Sequence, residues 1–197
     1  MDEALVKGEE RIGAEALFRA HAQFVASFLQ RFGAPAQDVD DMVQEVFIVA
    51  HRKGGYVLGP AQPRTWLAAI AVHVAQSNRR SRNRRERHVT ANADAALEQV
   101  IGPLDPHEEF ETRNALRRLQ SALDGLPPEH RAAFVLYEIE GESCESIAAE
   151  WKVPIGTVYS RLHSARRRVV ETYEQQVANA APTSSTRRHL QQVNGEP

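Results

Sequence analysis

The side chains best suited to ligand chemistry lie in residues 154–168, PIGTVYSRLHSARRR. There Thr157, Tyr159, Ser160, His163 and Ser164 offer hydroxyls and an imidazole that can bond to base edges. Arg161, Arg166, Arg167 and Arg168 are spaced to meet phosphates. A second basic group, RRSRNRRER at 79–87, sets six arginines against one glutamate. Charges so crowded repel one another, and bound phosphates would relieve the repulsion. A third group is acidic: Asp41, Gln44 and Glu45 recur with Ile48 at helical spacing, so one face presents acceptors beside an apolar group. That face suits a basic partner surface, or is a helix keeping its acids wet. No HExxH, paired cysteine–histidine spacing, glycine-rich phosphate loop after a strand, or nucleophile motif occurs. No catalytic residue, metal site or cofactor is therefore expected.

These groups need helices to position them. Residues 143–152, SCESIAAEWK, followed by 154–168, read as helix, tight turn and second helix. Val158, Leu162 and Ala165 share the buried side of that second helix, and Ser143 is its neighbour's N-cap. Upstream, Leu17, Phe18, Phe24, Val25, Phe28, Leu29 and Phe32 mark a helix over 15–32 that Gly33 and Pro35 end. A second helix starts near Asp38 as N-cap and turns Met42, Val43, Val46, Phe47 and Ala50 inward. GGYVLGPAQP at 54–63, with three glycines and two prolines, is a loop. A third helix carries Trp66, Leu67, Ile70, Ala71 and Val74 on one side and runs into the arginine cluster. Periodicity fades between 88 and 112 and resumes at Leu116, Leu119 and Leu123, with Pro128 suited to a first helical turn.

The chain of 197 residues is long enough for one large or two small cores, and no period-two hydrophobic run is present. The class is all-α: two small helical domains joined by a flexible acidic linker. The net charge of −2 argues against DNA binding only if averaged over the chain; residues 94–112 hold six acids and no lysine or arginine. Screening confines each patch to a Debye length of about 8–10 Å, so a basic stripe can act locally. The lone Cys144 cannot form an internal disulfide, and MDEALVKGEE lacks the basic flank and apolar stretch of a signal peptide. With no run of membrane-spanning length, a cytoplasmic location is expected.

Five stretches in order resemble the extracytoplasmic-function (ECF) sigma factors of the bacterial sigma-70 family. They are FRAHAQFVASFLQRFG at 18–33, DDMVQEVFIVAHR at 40–52, RTWLAAIAV at 64–72, LPPEHRAAFVLYEIEGES at 126–143 and the helix-turn-helix. The resemblance implies sigma domain two over 14–88, a linker over 89–109, sigma domain four over 110–175 and a disordered tail over 176–197. It implies core RNA polymerase, promoter DNA and an anti-sigma factor as partners, with no membrane insertion. Core binding falls on Asp41, Gln44, Glu45 and Ile48. Minus-ten contacts fall on His73, Gln76, Ser77, Arg79, Arg80, Arg82 and Arg84, and the loop at 54–64 is the one that captures an unstacked base. Minus-thirty-five contacts fall on Thr157, Tyr159, Ser160, Arg161, His163, Ser164, Arg166 and Arg167. Trp66 and Ile70 share the core stripe and read as structural.

Three positions depart from the family pattern. His73 stands where asparagine is frequent, Ser77 where asparagine or aspartate is, and Lys152 where glycine usually occupies the turn. A lysine at positive φ costs about 1 kcal/mol, so a slightly shifted turn is expected. The acidic linker either imitates nucleic acid in the polymerase cleft or is an inert spacer. Two rival readings are a helix-turn-helix regulator acting without polymerase and an enzyme. The first leaves DMVQEVF and RTWL without a task; the second lacks a motif.

Overall fold

The computed structural model describes residues 10–86 and 106–180, with the side chains of 83–86, 106–110 and 180 left aside. Helices α1 (Ala14–Arg31), α2 (Val39–Arg52) and α3 (Pro63–Glu86) form the first module. Helices α4 (Pro106–Asp124), α5 (Pro128–Phe134), α6 (Cys144–Trp151) and α7 (Ile155–Ala180) form the second. In the first, Leu17, Val25, Phe28 and Leu29 of α1 meet Met42, Val46 and Phe47 of α2 and Leu67, Ile70 and Ala71 of α3. Each set falls on one side of its helix at the 3.6-residue period, so every helix turns one apolar stripe inward.

The loop expected over 54–63 is partly a strand. Arg11–Ile12 (β1) pairs antiparallel with Tyr56–Val57 (β2), Ile12 facing Tyr56. Two residues per strand are too few for a period-two pattern. The pairing needs Gly55, at φ 86°, because a Cβ there would sit 2.4 Å from the Ile12 carbonyl oxygen. Asp38 stands at the N-cap of α2 as expected, at φ −99°, ψ −10° and closing a 3₁₀ turn over Ala36–Asp38, but its side chain makes no cap bond. Its carboxylate instead meets Arg82 at 3.7 Å. Two further carboxylates, Asp40 and Asp41, already lie in the first turn of α2, where they complement the helix dipole.

Two domain edges differ from expectation. Helix α4 begins at Pro106, inside the stretch assigned as linker; proline fits a first helical position because its missing N–H would have no partner there. Helix α7 runs through Gln176 to Ala180, past the expected start of the tail. The flexible-linker reading rests on 89–105, and the remaining tail reading on 181–197; both lie outside the described residues.

The two modules also touch. Buried residues of the first module and Ala132, Val135, Leu136, Ile147, Val158 and Leu162 of the second belong to one continuous apolar cluster. A smaller cluster, Ala122, Leu123, Leu126, Ala165 and Val169, ties α4 to α7. At the junction Arg131, only 6% exposed, donates from Nε and Nη2 to the Arg31 carbonyl at 2.9 and 2.7 Å. It thus satisfies a carbonyl at the end of α1 that the helix itself leaves open. Gly33 leaves room for it, at φ 93° and with a Cβ position 2.9 Å from Arg131 Nη1.

Candidate nucleic-acid and polymerase interfaces

The acidic face of α2 is presented outward. Asp41, Gln44 and Glu45 are exposed, and Ile48 stays 42% exposed although it is large and apolar. Phe18 of α1, 47% exposed, lies edge-on to Phe47 at 5.1 Å and extends the same apolar strip. The sequence reading put Phe18 in the core, because its position fits the α1 stripe; only the packing of α1 on α2 shows that it sits at the stripe's edge. Asp41, Gln44, Glu45 and Ile48 are thus brought together as expected, with Phe18 added.

On α3, His73, Ser77, Arg79 and Arg80 are exposed, and Gln76 is half-buried. His73, Ser77 and Arg80 stand four and three residues apart, which puts them on one face. Arg82 pairs with Asp38, and Arg84 continues the helix, its side chain outside the described set. Trp66 lies at 5.8 Å from the Tyr56 ring, edge to face, and packs against the core as expected. The loop before α3 is held by the Tyr56 hydroxyl donating to the Ala61 carbonyl. Beside it a groove of about 470 Å³ is lined by Tyr56, Pro60 and Trp66 and, from α6, by Ala149 and Glu150. Burial pushes the Glu150 carboxyl above its usual range, against the opposing pull of Lys152 and Lys53. Burial, and then the neighbouring Arg64, lower the His21 imidazole.

In the second module the helix-turn-helix forms as read. The Ser143 hydroxyl accepts the Ser146 amide at 3.1 Å and so caps α6. Lys152 adopts φ 53°, ψ 43°, so the turn is kept rather than shifted. Its N–H bonds to the Ala149 carbonyl, and Val153 N–H to Ala148, closing the helix. Val158, Leu162 and Ala165 are buried, while Tyr159, Ser160 and His163 face outward, Tyr159 at 53% exposure. Thr157 and Ser164 are half-buried, and the Ser160 hydroxyl donates to the Thr157 carbonyl at 2.9 Å. Three expected phosphate arginines have intramolecular partners. Arg161 lies over the Trp151 ring at 5.5 Å, Arg166 donates to Glu138 at 2.5 Å and covers Tyr137, and Arg167 meets Glu171 at 3.7 Å. Hydrogen bonding to Glu138 raises the Arg166 pKa.

The residues that sequence reasoning missed join the modules: Arg31, Arg64 and Thr65 on one side, Glu140, Glu142 and Ser146 on the other. Arg64 and Thr65 open the RTWL stretch, and Glu140 and Glu142 lie in LYEIEGES, but no local pattern pairs residues so far apart in sequence.

A basic helix in one module and an outward-facing helix-turn-helix in the other define a bipartite α-helical DNA-binding protein. Comparison with known proteins sharpens this. The family models for sigma-70 region 2 and sigma-70 region 4 match residues 17–85 and 116–169. The chain is 31% identical over 176 residues to the RNA polymerase sigma-H factor of Pseudomonas aeruginosa, covering 85% of this chain and 89% of the relative. It is 34% identical over 153 residues to the ECF RNA polymerase sigma-E factor of Escherichia coli, covering 74% and 78%. The fold also matches the sigma factor RpoE, solved with the anti-sigma factor NepR from Bartonella quintana, with a TM-score of 0.63 at 24% identity, over 81% of this chain and 96% of that one. The chain belongs to the sigma-70 family, in its extracytoplasmic-function group. Among the described residues no helix is long and apolar enough to cross a membrane.

Proposed function

We propose that this sigma factor docks on core RNA polymerase through the α2 face and directs it to promoters read by α3 and α7. Asp41, Gln44 and Glu45 supply acceptors for a basic polymerase surface, and Ile48 with Phe18 supplies an apolar anchor beside them. His73, Gln76 and Ser77 read the minus-ten element, and Arg79, Arg80, Arg82 and Arg84 hold its phosphates. Tyr159, Ser160 and His163, the outward groups of the second helix, read the minus-thirty-five element from the major groove, with the half-buried Ser164 beside them. Thr157, Arg161, Arg166 and Arg167 position the helix on the backbone. With no arginine among the base readers, DNA shape carries part of that specificity. The protein catalyses no reaction itself, acts in the cytoplasm and is restrained by an anti-sigma factor.

The observation that carries the reading is the ordered pair of region 2 and region 4 matches on a chain whose acidic α2 face and two basic helices all point outward. Run-off transcription with purified core enzyme tests it: promoter-specific transcripts should require this chain. Specific, tight duplex binding without polymerase, and no transcript with it, would instead indicate a stand-alone regulator. Asp41→Lys with Glu45→Lys should abolish co-purification with core enzyme while leaving helical content unchanged. Tyr159→Ala with His163→Ala should change the preference among promoters altered in the upstream element.

A further inference from the structure

Between the end of α1, the middle of α3 and the start of α5 lies a cavity of about 710 Å³. Arg79, Arg80 and Arg82 of α3 line it from the first module, and Arg131 of α5 lines it from the second. Apolar packing fixes its walls. Met42 and Ala75 belong to the cluster that spans both modules, and Leu126 belongs to the smaller cluster that ties α4 to α7. The shape of the cavity therefore depends on buried apolar surface rather than on ion pairs.

Four guanidiniums share this space with too few carboxylates. Asp124 accepts from Arg131 Nη1 at 2.6 Å, and Asp38 lies 3.7 Å from Arg82. Among the described residues, Arg79 and Arg80 have no carboxylate within ion-pair distance. Glu129, the other acid in the lining, is exposed at the start of α5. Arg131 is buried, yet only three of its five N–H groups are engaged: those of Nε and Nη2 on the Arg31 carbonyl and that of Nη1 on Asp124. Two donors remain, one on each Nη. Burial lowers the Arg131 pKa, Asp124 opposes that, and the like charge of Arg79 adds to the lowering. An anion between the two guanidiniums would remove that repulsion.

We propose that this cavity binds a nucleoside polyphosphate, its phosphates held by Arg79, Arg80 and the two spare donors of Arg131, and its sugar and base set against Phe32, Pro35 and Pro128. Size argues for such a ligand. A lone phosphate would leave most of the 710 Å³ empty, whereas ligand sites of about 300–1,000 Å³ take molecules of nucleotide dimensions. The lining mixes guanidiniums with half-buried ring surfaces, so its occupant is anionic at one end and apolar at the other. Arginine forks match phosphate oxygens in pairs. A DNA strand fits less well: it reaches Arg79 and Arg80 from the surface, but Arg131, 6% exposed, is open only to a small anion. A bound nucleotide touches both modules and withdraws Arg79 and Arg80 from promoter phosphates, so occupancy lowers DNA affinity. That consequence rests on the sigma reading; the site itself does not.

Isothermal titration calorimetry of the full chain with ATP, GTP and tripolyphosphate, in the absence of polymerase, tests the site. A nucleoside triphosphate should bind saturably, one per chain, and raise the thermal midpoint of unfolding. Arg79→Gln with Arg80→Gln should weaken that binding at least about tenfold, the effect of losing charge-assisted contacts. Asn78→Trp, which fills the cavity and leaves every arginine in place, should abolish it. Unchanged affinity in that variant means that the exposed arginines of α3 alone hold the phosphates, and overturns the site. If Asn78→Trp loses helical circular dichroism, Glu129→Gln, which removes the exposed acid from the lining, should tighten binding at least about twofold, and no gain overturns the site. Tripolyphosphate binding as tightly as ATP and GTP overturns the nucleoside half of the proposal, and no binding of any of the three overturns all of it. Run-off transcription keeps the two readings apart: a chain that initiates but binds no nucleotide when free defeats the site alone, and one that binds nucleotide but never initiates defeats the sigma assignment alone.

Discussion

Lys152 holds φ 53° at the turn between α6 and α7, where its Cβ crowds the backbone and glycine would not. Lys152→Gly should stabilise the protein by about 0.5–1 kcal/mol, after the greater freedom of glycine in the unfolded chain is set against the relieved strain, as a urea midpoint would report. Glu150 offers a pH test at the same scale. Its carboxyl is raised by burial, so the folded chain binds the proton more tightly than the unfolded one. Stability from this group is complete below the ordinary carboxylate range and is lost as pH rises through the elevated folded value. Glu150→Gln should therefore flatten the rise in thermal midpoint seen on acidifying from neutral pH through that window. An unaltered profile would mean that the carboxyl is solvated in solution.

The helix-turn-helix depends on a few groups at its helix ends. Ser143→Ala strips the hydroxyl that accepts the Ser146 amide and should cost about 1 kcal/mol of unfolding free energy. Gly33 ends α1 and lies against Arg131, so Gly33→Ala meets two obstacles, a positive φ and a guanidinium 2.9 Å from the new methyl. The expected loss is more than about 1 kcal/mol, together with a looser junction between the modules. Burial of α1 against α2 and α3 has the larger stake. Phe28 is fully buried and stacked near Phe32, and Phe28→Ala should cost about 3–5 kcal/mol in chemical denaturation.

Across the whole molecule, charge is segregated rather than balanced. The small net charge of −2 conceals an acidic α2 face and a basic α3 end on the same module. In the polymerase complex, Arg79→Ala or Arg80→Ala should weaken binding to duplex promoters of different sequence about equally. The slope of log affinity against log salt should fall by about 0.9 for each phosphate contact removed. A change confined to one promoter sequence would instead make that arginine a base reader. The residues proposed to read the minus-thirty-five element should behave oppositely: replacing Tyr159 and His163 should alter sequence preference, with little effect on the salt slope.

Helix periodicity alone was enough to place α1, α2, α3 and the helix-turn-helix, because an apolar stripe at 3.6-residue spacing is a local property of the chain. Likewise Asp41, Gln44, Glu45 and Ile48, and Tyr159, Ser160 and His163, were legible as outward groups once their helices' inner faces were known. The two-residue strand pair β1–β2, the partner of Asp38, the exposure of Phe18 and the early start of α4 were not. Each depends on a neighbour distant in sequence or on a segment too short to show a period. The junction of Arg31, Arg64 and Thr65 with Glu140, Glu142 and Ser146 is the extreme case. Its members are about 75 to 110 residues apart, and an ion pair leaves no periodic trace, since a charge on a helix surface looks the same whether water or a partner satisfies it. Local patterning thus determined which faces this protein turns outward; only the tertiary structure decided which of those faces it keeps for itself.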